Sequence, residues 1–363
     1  MKVCYFGWYN LKDPRNVVLI EGLRKNGVEV IECHDTSPGL RKFFKLFFKH
    51  WKIRNSYDAM VVGFLGQLAM PLAVLVNSPL ISFRRSKPIV FDAFLSNYDT
   101  NVLSRQRVKK GSPKAIYYWL LDWFSMRLGD VLLFDTQEHI NYVSKEFGLK
   151  NKSRIKRIFV GWREDVFQPK PKTRTDNEFQ VIFHGTFIRS QGIEFILQAA
   201  KNLESHSDIK FILIGNGQVG EEMFALAKSL ELKNVEFPGF IPLTDIADRV
   251  AQADLCLGLF GTAGRIQRVI PTKVFECAAM CRPVITADAP AVRELFDDED
   301  VAFVPPGDPA ALTAAILSLK ADPDLRECMA ENSYRKLVAN CSTIGAGRQL
   351  KELIQSLIGK KRI

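Results

Sequence analysis

The sequence predicts an α/β protein built from two consecutive doubly wound domains. The chain has 363 residues, which exceeds a usual single core and makes two domains the expectation. Short apolar strands alternate with helical segments through both halves, a pattern typical of parallel sheets. A polar, proline-bearing stretch at residues 168–178 separates the halves and predicts a linker.

The first half opens with a βαβ unit. Residues 2–33 predict a buried strand that ends at Gly7, then a helix, then a second strand. The loop after the first strand carries Trp8 and Arg15. Loops at the carboxyl ends of parallel strands form the binding sites of such sheets, so we expect Gly7, Trp8 and Arg15 to face a cleft.

The rest of the first half continues the alternation, with strands predicted at residues 59–64, 88–91, 131–134 and 155–160 and helices at 68–76 and 115–128. Residues 59–76 are almost entirely apolar and approach the length of a membrane span. Gly63, Gly66 and Pro71 interrupt them, so we predict a strand and a short helix there. Asp92 ends the strand at 88–91 and begins a polar loop.

Residues 40–54 predict a basic amphipathic helix about 20 Å long. At 100° per residue, one side collects Leu40, Phe43, Phe44, Phe47, Phe48 and Trp51, and the other collects Arg41, Lys42, Lys45, Lys49 and Lys52. A core-facing helix with a solvated rim is the simpler alternative. The aromatic pairs and the lack of any acid favour a membrane-surface helix whose contacts include Lys45, Phe47, Phe48, Lys49 and Trp51.

Charge is divided unevenly between the halves. Residues 1–170 hold 28 Lys and Arg against 15 Asp and Glu, a balance of +13, and residues 171–363 hold 22 against 25, a balance of −3. This asymmetry suggests that the first half meets an anionic membrane or a polyanion. No nucleic-acid module is recognisable, so nucleic acid is not an expected partner.

Cysteine usage and the start of the chain bear on location. The seven cysteines are scattered, and only Cys277 and Cys281 lie one helical turn apart. No His or second Cys pair is near them, so we expect reduced thiols rather than a metal site. The first residues read as a strand rather than a signal peptide, so we expect a cytoplasmic protein, peripheral at the inner face of the cell membrane.

The second half repeats the alternation, with strands predicted at residues 180–183, 210–214, 235–237, 254–259, 284–286 and 302–304. Its most informative stretch is residues 260–294. A glycine-bearing loop carries Arg265 and Arg268, and Pro271 and Thr272 then open a helix with Lys273 in its first turn and Glu276 one turn on. Free N–H groups at a helix start bind anions, and the cations add full charges. The alternative is a surface loop with a solvated Lys–Glu pair.

The second half resembles the family-4 retaining glycosyltransferases of the GT-B fold. The segments that carry the resemblance are FHGTFIRSQGIEFILQAAKNL, FILIGNGQ, NVEFPGFIP, residues 271–286 and AVRELFDDEDVAFVPPGDPAAL. The resemblance implies two Rossmann-like domains facing a cleft: an acceptor domain at 1–167, a linker at 168–178, a donor domain at 179–340, and a C-terminal helix at 341–363 that packs back on the first domain.

The resemblance also implies residue roles. Glu276 falls on the family's second motif glutamate, which holds the donor's ribose, whereas Arg268 stands where the family has the first, which touches the donor sugar. Thr186 and Gln191 stand where the family has a phosphate-binding Arg and Lys. Asp92 falls where many relatives have a cleft histidine. The implied donor-binding set is Gly185, Thr186, Arg189, Gly215, Gly239, Phe240, Ile241, Arg265, Thr272, Lys273 and Glu276, and the implied catalytic set is Asp92, Lys273 and Arg268.

The resemblance implies transfer of a sugar from a nucleotide-diphospho-sugar to a glycan or lipid-linked acceptor, in cell-envelope or surface-glycan synthesis. Fixed cations stabilise the departing diphosphate, so we expect no metal and no other cofactor. Two alternatives remain open at this point. One is a nucleotide-sugar epimerase of the GT-B fold, and the other is a non-catalytic sugar-nucleotide-binding relative.

Overall fold

The computed structural model describes residues 1–78 and 87–362. Contacts divide the chain into two units, one of Met1–Gly161 with Cys341–Ile363 and one of Trp162–Asn340. The division therefore falls earlier than the boundary placed at residue 167. Trp162 donates from Nε1 to the Phe167 carbonyl over 3.1 Å, and Phe167 stacks on His184, so this short stretch packs with the second unit.

The first unit contains a parallel sheet of six strands, β1 (Lys2–Gly7), β2 (Glu29–His34), β3 (Ala59–Val62), β4 (Ile89–Asp92), β5 (Val131–Phe134) and β6 (Ile155–Arg157). Their order is β2-β1-β3-β4-β5-β6, and every neighbouring pair is parallel. The order reverses at β1, which is the doubly wound arrangement the alternating pattern predicts.

The helices of this unit are α1 (Pro14–Lys25), α2 (Arg41–Ile53), α3 (Met70–Asn77), α4 (Pro113–Leu128), α5 (Gln137–Glu146) and α13 (Thr343–Arg362). Strand side chains alternate between two cores. Val3 and Tyr5 pack with α1 and α13, whereas Cys4 and Phe6 pack with α2 to α5. The sheet thus lies between two helical layers, and α2, α3 and α4 share one of them.

Helices α1 and α13 meet backbone to backbone. A Cβ built on Gly22 would stand 2.8 Å from Gly347 Cα, and one built on Gly347 would overlap the Gly22 backbone. Only glycine at both positions permits this approach. The contact brings the C-terminal helix into the first unit.

The apolar stretch after residue 58 forms strand β3 and helix α3, within two residues of the predicted helix start. Leu65 between them has a positive φ of 72°, which makes the tight turn. Across residues 1–78 and 87–362, no helix combines the length and apolar character needed to span a bilayer.

The second unit contains strands β7 (Phe179–His184), β8 (Ile209–Ile214), β9 (Val235–Gly239), β10 (Leu255–Leu257), β11 (Val284–Ala287) and β12 (Ala302–Val304), in the order β12-β11-β10-β7-β8-β9. Its helices are α6 (Ile193–Asn202), α7 (Gly220–Ser229), α8 (Leu243–Gln252), α9 (Thr272–Ala279), α10 (Pro290–Arg293), α11 (Pro309–Ala321) and α12 (Pro323–Cys341). Each half therefore has its own doubly wound parallel sheet, and the predicted fold class is confirmed.

The stretch at residues 168–178 packs against the second unit. Lys170 pairs with Asp248 at 2.6 Å, and Lys172 pairs with Asp254 at 2.5 Å. Arg174 also donates to Asp254, at 2.5 Å. The basic residues of this predicted linker thus pair with acids on and beside α8.

Candidate active site

The site in the second unit lies where β7 and β8 end. Gly185 and Gly215, directly after these strands, have positive φ values of 140° and 137°. A Cβ on Gly215 would overlap the Gly185 carbonyl oxygen. The two loops touch through their backbones, which explains why both predicted positions require glycine.

The loop after β10 joins them. Phe260 donates its backbone N–H to the Gln191 carbonyl over 3.0 Å. A Cβ on Gly192 would overlap the backbone of Gly261. The carboxyl ends of β7, β8 and β10 are therefore held together, and α9 begins from the third of these loops.

Lys273 reaches from the first turn of α9 to the end of β7. Its Nζ donates to Gln191 Oε1 over 2.5 Å and lies 3.4 Å from the centre of the Phe183 ring. A Cβ on Gly185 would stand 3.1 Å from the same Nζ, so the ammonium group sits against the glycine backbone. The residue is only 5% exposed. Gln191, which stands where the family has a phosphate-binding Lys, thus positions Lys273 through a neutral oxygen.

This ammonium group lacks a compensating charge at close range. No carboxylate of the described residues lies within salt-bridge distance of it. Burial lowers the pKa of Lys273 well below its usual range, which Cys277 and Glu276 only partly oppose. A buried cation of this kind becomes more favourable when an anion binds beside it.

Glu276 lies one turn further along α9 and reaches the same strand end. His184 Nε2 is 2.7 Å from Glu276 Oε2, and both side chains are buried. No described residue bonds to Oε1 of Glu276. His184 itself was not predicted as a site residue, although its position immediately before Gly185 was the available signal.

The pair offers two kinds of contact at one strand end. Lys273 supplies positive charge beside the first turn of a helix, and Glu276 supplies a carboxylate acceptor that His184 orients. Cations and helix N–H groups bind phosphate, and a carboxylate accepts from sugar hydroxyls. The structure therefore brings both side chains to the end of β7, and their roles in donor binding stay predictions.

The remaining predicted residues of the second unit take varied positions. Arg265 and Arg268 lie half-buried at the turn Gly264–Gln267 that precedes α9, and Thr272 is the first residue of α9.

Thr186 and Arg189 are exposed on the loop after β7, where Arg189 lies 3.9 Å from Glu222. At the end of β9, Gly239 has a φ of 76° and Phe240 is 89% exposed, with Ile241 half-buried after it.

Arg15 and Asp92 do not face an open site, so the structure corrects their predicted role. Arg15 belongs to helix α1 rather than to the loop, because the Asp13 side chain caps this helix by accepting the Arg15 backbone N–H. The Arg15 guanidinium pairs with Asp92 at 2.9 Å and donates to the Ile158 and Phe159 carbonyls. Neither side chain is exposed, so the pair joins the ends of β4 and β6 inside the first unit.

Gly7 and Trp8 follow β1, as predicted. Gly7 has a φ of 137°. The Trp8 ring packs against Phe43 of α2 at 5.0 Å, and the Lys42 ammonium lies 4.3 Å from its centre. Trp8 therefore connects this strand end to helix α2.

Helix α2 forms where predicted, but its buried side differs from the expectation. Leu46 and His50 are buried, because the helix rests on these two residues. Phe47 packs on the core and is not free to contact a membrane, which corrects its assignment. Phe44, Phe48 and Trp51 are exposed. Lys45 bonds to Ser37, and Lys49 pairs with Asp35 at 3.0 Å.

Metal-ligating side chains do not gather in the described part of the chain: no group of three or more His, Cys, Asp or Glu there could hold an ion. The seven cysteines are all free thiols.

Residues 165–336 match the family model of the glycosyl transferases group 1. Two curated relatives are similar in sequence. An alpha-D-kanosaminyltransferase from Streptomyces kanamyceticus is 26% identical over 187 residues, which cover 49% of this chain and 45% of the relative. The D-rhamnosyltransferase WbpZ from Pseudomonas aeruginosa is 26% identical over 200 residues, or 52% and 50%. The chain thus spans about half the length of the curated relatives it matches.

Solved structures resemble nearly the whole chain. Anabaena HepE in complex with UDP-glucose has a TM-score of 0.71 at 16% identity, covering 98% of this chain and 100% of that one. The sucrose-phosphate synthase of Thermosynechococcus elongatus has a TM-score of 0.73 at 16% identity, covering 99% and 100%. These similarities confirm the GT-B fold.

Proposed function

We propose that this chain, whose residues 165–336 match the family model of the glycosyl transferases group 1, transfers a sugar from a nucleotide-diphospho-sugar to an acceptor hydroxyl. The observation that carries the proposal is the pairing of Lys273 and Glu276 at the end of β7. A buried cation without a salt-bridge partner and an oriented carboxylate are the complement of a diphosphate linked to a ribose.

Lys273 binds the leaving nucleoside diphosphate. Negative charge develops on the diphosphate as the bond between the sugar and its phosphate breaks, and a fixed cation stabilises that charge most in a site with little water. The first-turn N–H groups of α9 act in the same direction. Gly185, which lacks a side chain, lets the Lys273 ammonium group lie against the backbone at the end of β7. Arg265 and Arg268, on the loop that leads into α9, supplement this charge.

Glu276 binds the ribose hydroxyls through Oε1 while His184 holds Oε2. The hydrogen bond from His184 fixes the rotamer of Glu276, so less conformational freedom is lost when the donor binds. The backbone at Gly239 to Ile241 contacts the base. HepE was crystallised with UDP-glucose, which supports a donor of this class.

The reaction proceeds with retention and without a metal ion. In this mechanism the positive charge comes from the protein, and the leaving phosphate accepts the proton of the acceptor hydroxyl. The acceptor is a glycan or a lipid-linked saccharide in surface-glycan synthesis. A rhamnosyltransferase and a kanosaminyltransferase among the relatives support saccharide or glycoside acceptors in general.

The protein works at the cytoplasmic face of a membrane, and α2 contributes to its binding there. Phe44, Phe48 and Trp51 are exposed on this helix, and the lysines beside them suit an anionic leaflet. Exposed aromatic rings next to basic groups are the observation that supports this part of the proposal.

Incubation of the purified chain with UDP-, GDP- and dTDP-sugars tests the proposal. Nucleoside diphosphate release should occur with one donor and fall by about a hundredfold or more in Lys273→Met, because a transition-state cation is lost. Lys201→Met, which makes the same change at an exposed lysine paired with Glu204 on α6, is the control. The proposal would be overturned if no donor released its nucleoside diphosphate and native mass spectrometry detected no bound donor. Binding without release would indicate a non-catalytic relative.

An epimerase would be recognised in the same incubation. It would change the sugar of the donor, and the mass of the intact nucleotide-sugar would stay the same. Chromatographic separation of the nucleotide-sugars after incubation would detect this, and it would rule out transfer as the principal reaction.

A further inference from the structure

Helix α4 presents an apolar stripe to solvent. Five large side chains at helical spacing are 36% to 53% exposed: Ile116, Tyr117, Leu120, Trp123 and Phe124. Their positions i, i+1, i+4, i+7 and i+8 lie on one side of the helix, opposite the buried Ala115, Ser125 and Met126. A soluble surface rarely leaves so many large apolar residues together, so the stripe is the feature to be explained.

The stripe carries no acid, because the helix turns its single carboxylate inward. Asp122 is fully buried and accepts from Ser96 Oγ at 2.7 Å and from the Tyr98 backbone N–H at 2.8 Å. These bonds hold the polar loop that follows β4. The outer face of α4 is therefore apolar, while its inner face anchors a loop at the carboxyl edge of the sheet.

Neighbouring helices extend this surface. Helix α3 packs against both α2 and α4, and all three lie in the same layer on the sheet. Their outward-facing large apolar side chains are Phe44, Phe48 and Trp51 on α2, Leu75 on α3, and the five residues of the α4 stripe. The exposed apolar surface thus runs across one side of the first unit.

A cationic pocket closes the far end of the stripe. It has a volume of about 130 Å³, and its lining includes Arg127, Lys150 and Arg154. The Arg127 guanidinium lies 4.1 Å from the centre of the Trp123 ring, so the pocket adjoins the stripe directly. Its volume is below the roughly 300–1,000 Å³ of drug-sized sites and suits a single phosphate group.

The charge of this pocket is uncompensated. Arg127 donates to the Trp123 and Phe147 carbonyls, and Arg154 donates to the Gly129 and Asp130 carbonyls. Among the residues that the structure describes, no carboxylate pairs with Arg127, Lys150 or Arg154. Burial, together with the charge of Arg154, lowers the pKa of Arg127. An anion bound here would relieve the repulsion between the two guanidinium groups.

We infer that α4 docks on a leaflet containing anionic phospholipid, with its stripe among the acyl chains and a headgroup phosphate in the pocket of Arg127, Lys150 and Arg154. Basic residues bound the stripe at both ends, since Lys109, Lys110 and Lys114 precede it. Apolar side chains between cations match a leaflet that is apolar below and anionic at its surface. A second copy of this chain, which carries a net charge of +10, would bring like charges together.

This inference extends the membrane association proposed above and assigns a role to Asp122. Docking of α4 places the loop at Ser96 to Tyr98, which Asp122 holds, beside the leaflet. A lipid-linked acceptor would reach the carboxyl edge of the first sheet from that side.

Quenching by brominated phospholipids tests which helix inserts. The full chain is mixed with vesicles of phosphatidylglycerol and brominated phosphatidylcholine, and tryptophan fluorescence is recorded. Trp123→Phe should remove about half or more of the fluorescence quenching, because Trp123 lies on the stripe. Trp51→Phe, on α2, should leave the quenching that comes from α4 unchanged. Unchanged quenching in Trp123→Phe would overturn the inference.

Partitioning measures the strength of docking. Leu120→Glu should weaken vesicle binding by about tenfold or more, because an exposed apolar group becomes an anion. Leu325→Glu, at a similarly exposed leucine in the second unit, is the matched control and should bind normally. Lys150→Glu should weaken binding to phosphatidylglycerol vesicles and spare residual binding to phosphatidylcholine.

Two further outcomes distinguish a lipid surface from a second copy of the chain, and the docking inference from the proposed reaction. If Leu120→Glu separates an oligomer in sedimentation and leaves vesicle binding intact, the stripe joins copies of the chain and the inference fails. Nucleoside diphosphate release is measured without vesicles. If the wild-type chain binds vesicles as expected but releases no nucleoside diphosphate from any donor, the proposed reaction fails and the docking inference stands.

Discussion

Arg15 and Asp92 form an ion pair at the carboxyl edge of the first sheet, with 2.9 Å between Nη2 and Oδ1 and no exposure of either side chain. Arg15 also donates to the carbonyls of Ile158 and Phe159. The pair therefore connects α1, β4 and the segment after β6, and its geometry indicates a structural role.

Asp92→Asn should lower the free energy of unfolding by about 3–5 kcal/mol, because it leaves a buried guanidinium unpaired. Urea unfolding followed by circular dichroism measures this. Arg24→Gln is the control, since Arg24 forms only exposed pairs with Glu21 and Glu32 and should change stability by less than about 1 kcal/mol. A stable Asp92→Asn protein that has lost sugar transfer would restore the catalytic role expected from the sequence.

Donor affinity should depend on the protonation of Lys273. Burial lowers the pKa of this group, so it loses its proton at a lower pH than an exposed lysine does. A bound diphosphate favours the charged form, and donor affinity should therefore fall as pH rises past the lowered pKa, by about tenfold per unit. Calorimetric titration with the donor from about pH 6 to about pH 9 measures this.

Lys273→Arg provides the comparison, because a guanidinium stays charged over that whole range. Its donor affinity should be independent of pH, even if the larger side chain fits poorly beside Gly185. A wild-type affinity that shows no slope would mean that Lys273 stays charged throughout or does not contact the donor.

Glu276→Gln should raise the donor KM by about tenfold or more, because a hydrogen-bonded charged acceptor is replaced by a neutral one. His184→Asn should raise KM by a smaller factor and leave kcat nearly unchanged, since His184 acts by orienting Glu276. A larger fall in kcat than rise in KM for His184→Asn would contradict this positioning role.

Gly347→Ala should destabilise the protein by about 1–3 kcal/mol or prevent docking of α13, because the new Cβ would overlap the Gly22 backbone. Gly359→Ala in the same helix has nothing within 4 Å of its Cβ and should stabilise by up to about 1 kcal/mol. Thermal unfolding should therefore show a lower Tm than the wild type for Gly347→Ala and a higher Tm for Gly359→Ala. Equal stability of the two would mean that α13 does not pack on α1 at Gly22.

His50 should make stability depend on pH. Burial, with Lys87 and Arg54 nearby, lowers its pKa to about 4, whereas an unfolded histidine titrates near about 6.5. The unfolded chain therefore binds an extra proton between these values, and stability is lost as pH falls through this window, by up to about 3 kcal/mol.

The measurement is the difference in unfolding free energy between the wild type and His50→Gln. Asp13, whose pKa burial raises to about 6, acts in the opposite direction over nearly the same range, but it is present in both proteins and cancels. A difference that stays constant from about pH 7 to about pH 4 would contradict the assignment to His50.

Lys52, an exposed lysine of α2, provides a test of electrostatic attraction. Lys52→Glu should weaken binding to anionic vesicles by about tenfold or more, and added salt should reduce the effect. Lys228→Glu makes the same charge change on α7 of the second unit. If both substitutions weaken binding equally, the attraction reflects net charge rather than the face of α2.

Sequence reasoning located most of the fold because the alternation of short apolar strands and helices is a local signal. Strand β3 and helix α3 were separated correctly by the glycines and proline that interrupt one apolar run. Element ends were less certain. Helix α9 ends at Ala279, and Cys281, with a φ of 53° that no local sequence signal predicts, turns the chain just after it.

In the second unit, the sequence by itself determined that Lys273 and Glu276 share a face of α9, because one helical turn separates them. In the first unit it placed Arg15 and Asp92 at strand ends, where polar residues commonly bind substrates. Only the tertiary structure decided that Arg15 and Asp92 neutralise each other, that Gln191 and His184 hold Lys273 and Glu276, and that α2 rests on Leu46 and His50. The physical reason is that hydrogen-bond partners and burial depend on residues 77 or more positions apart, which no local pattern encodes.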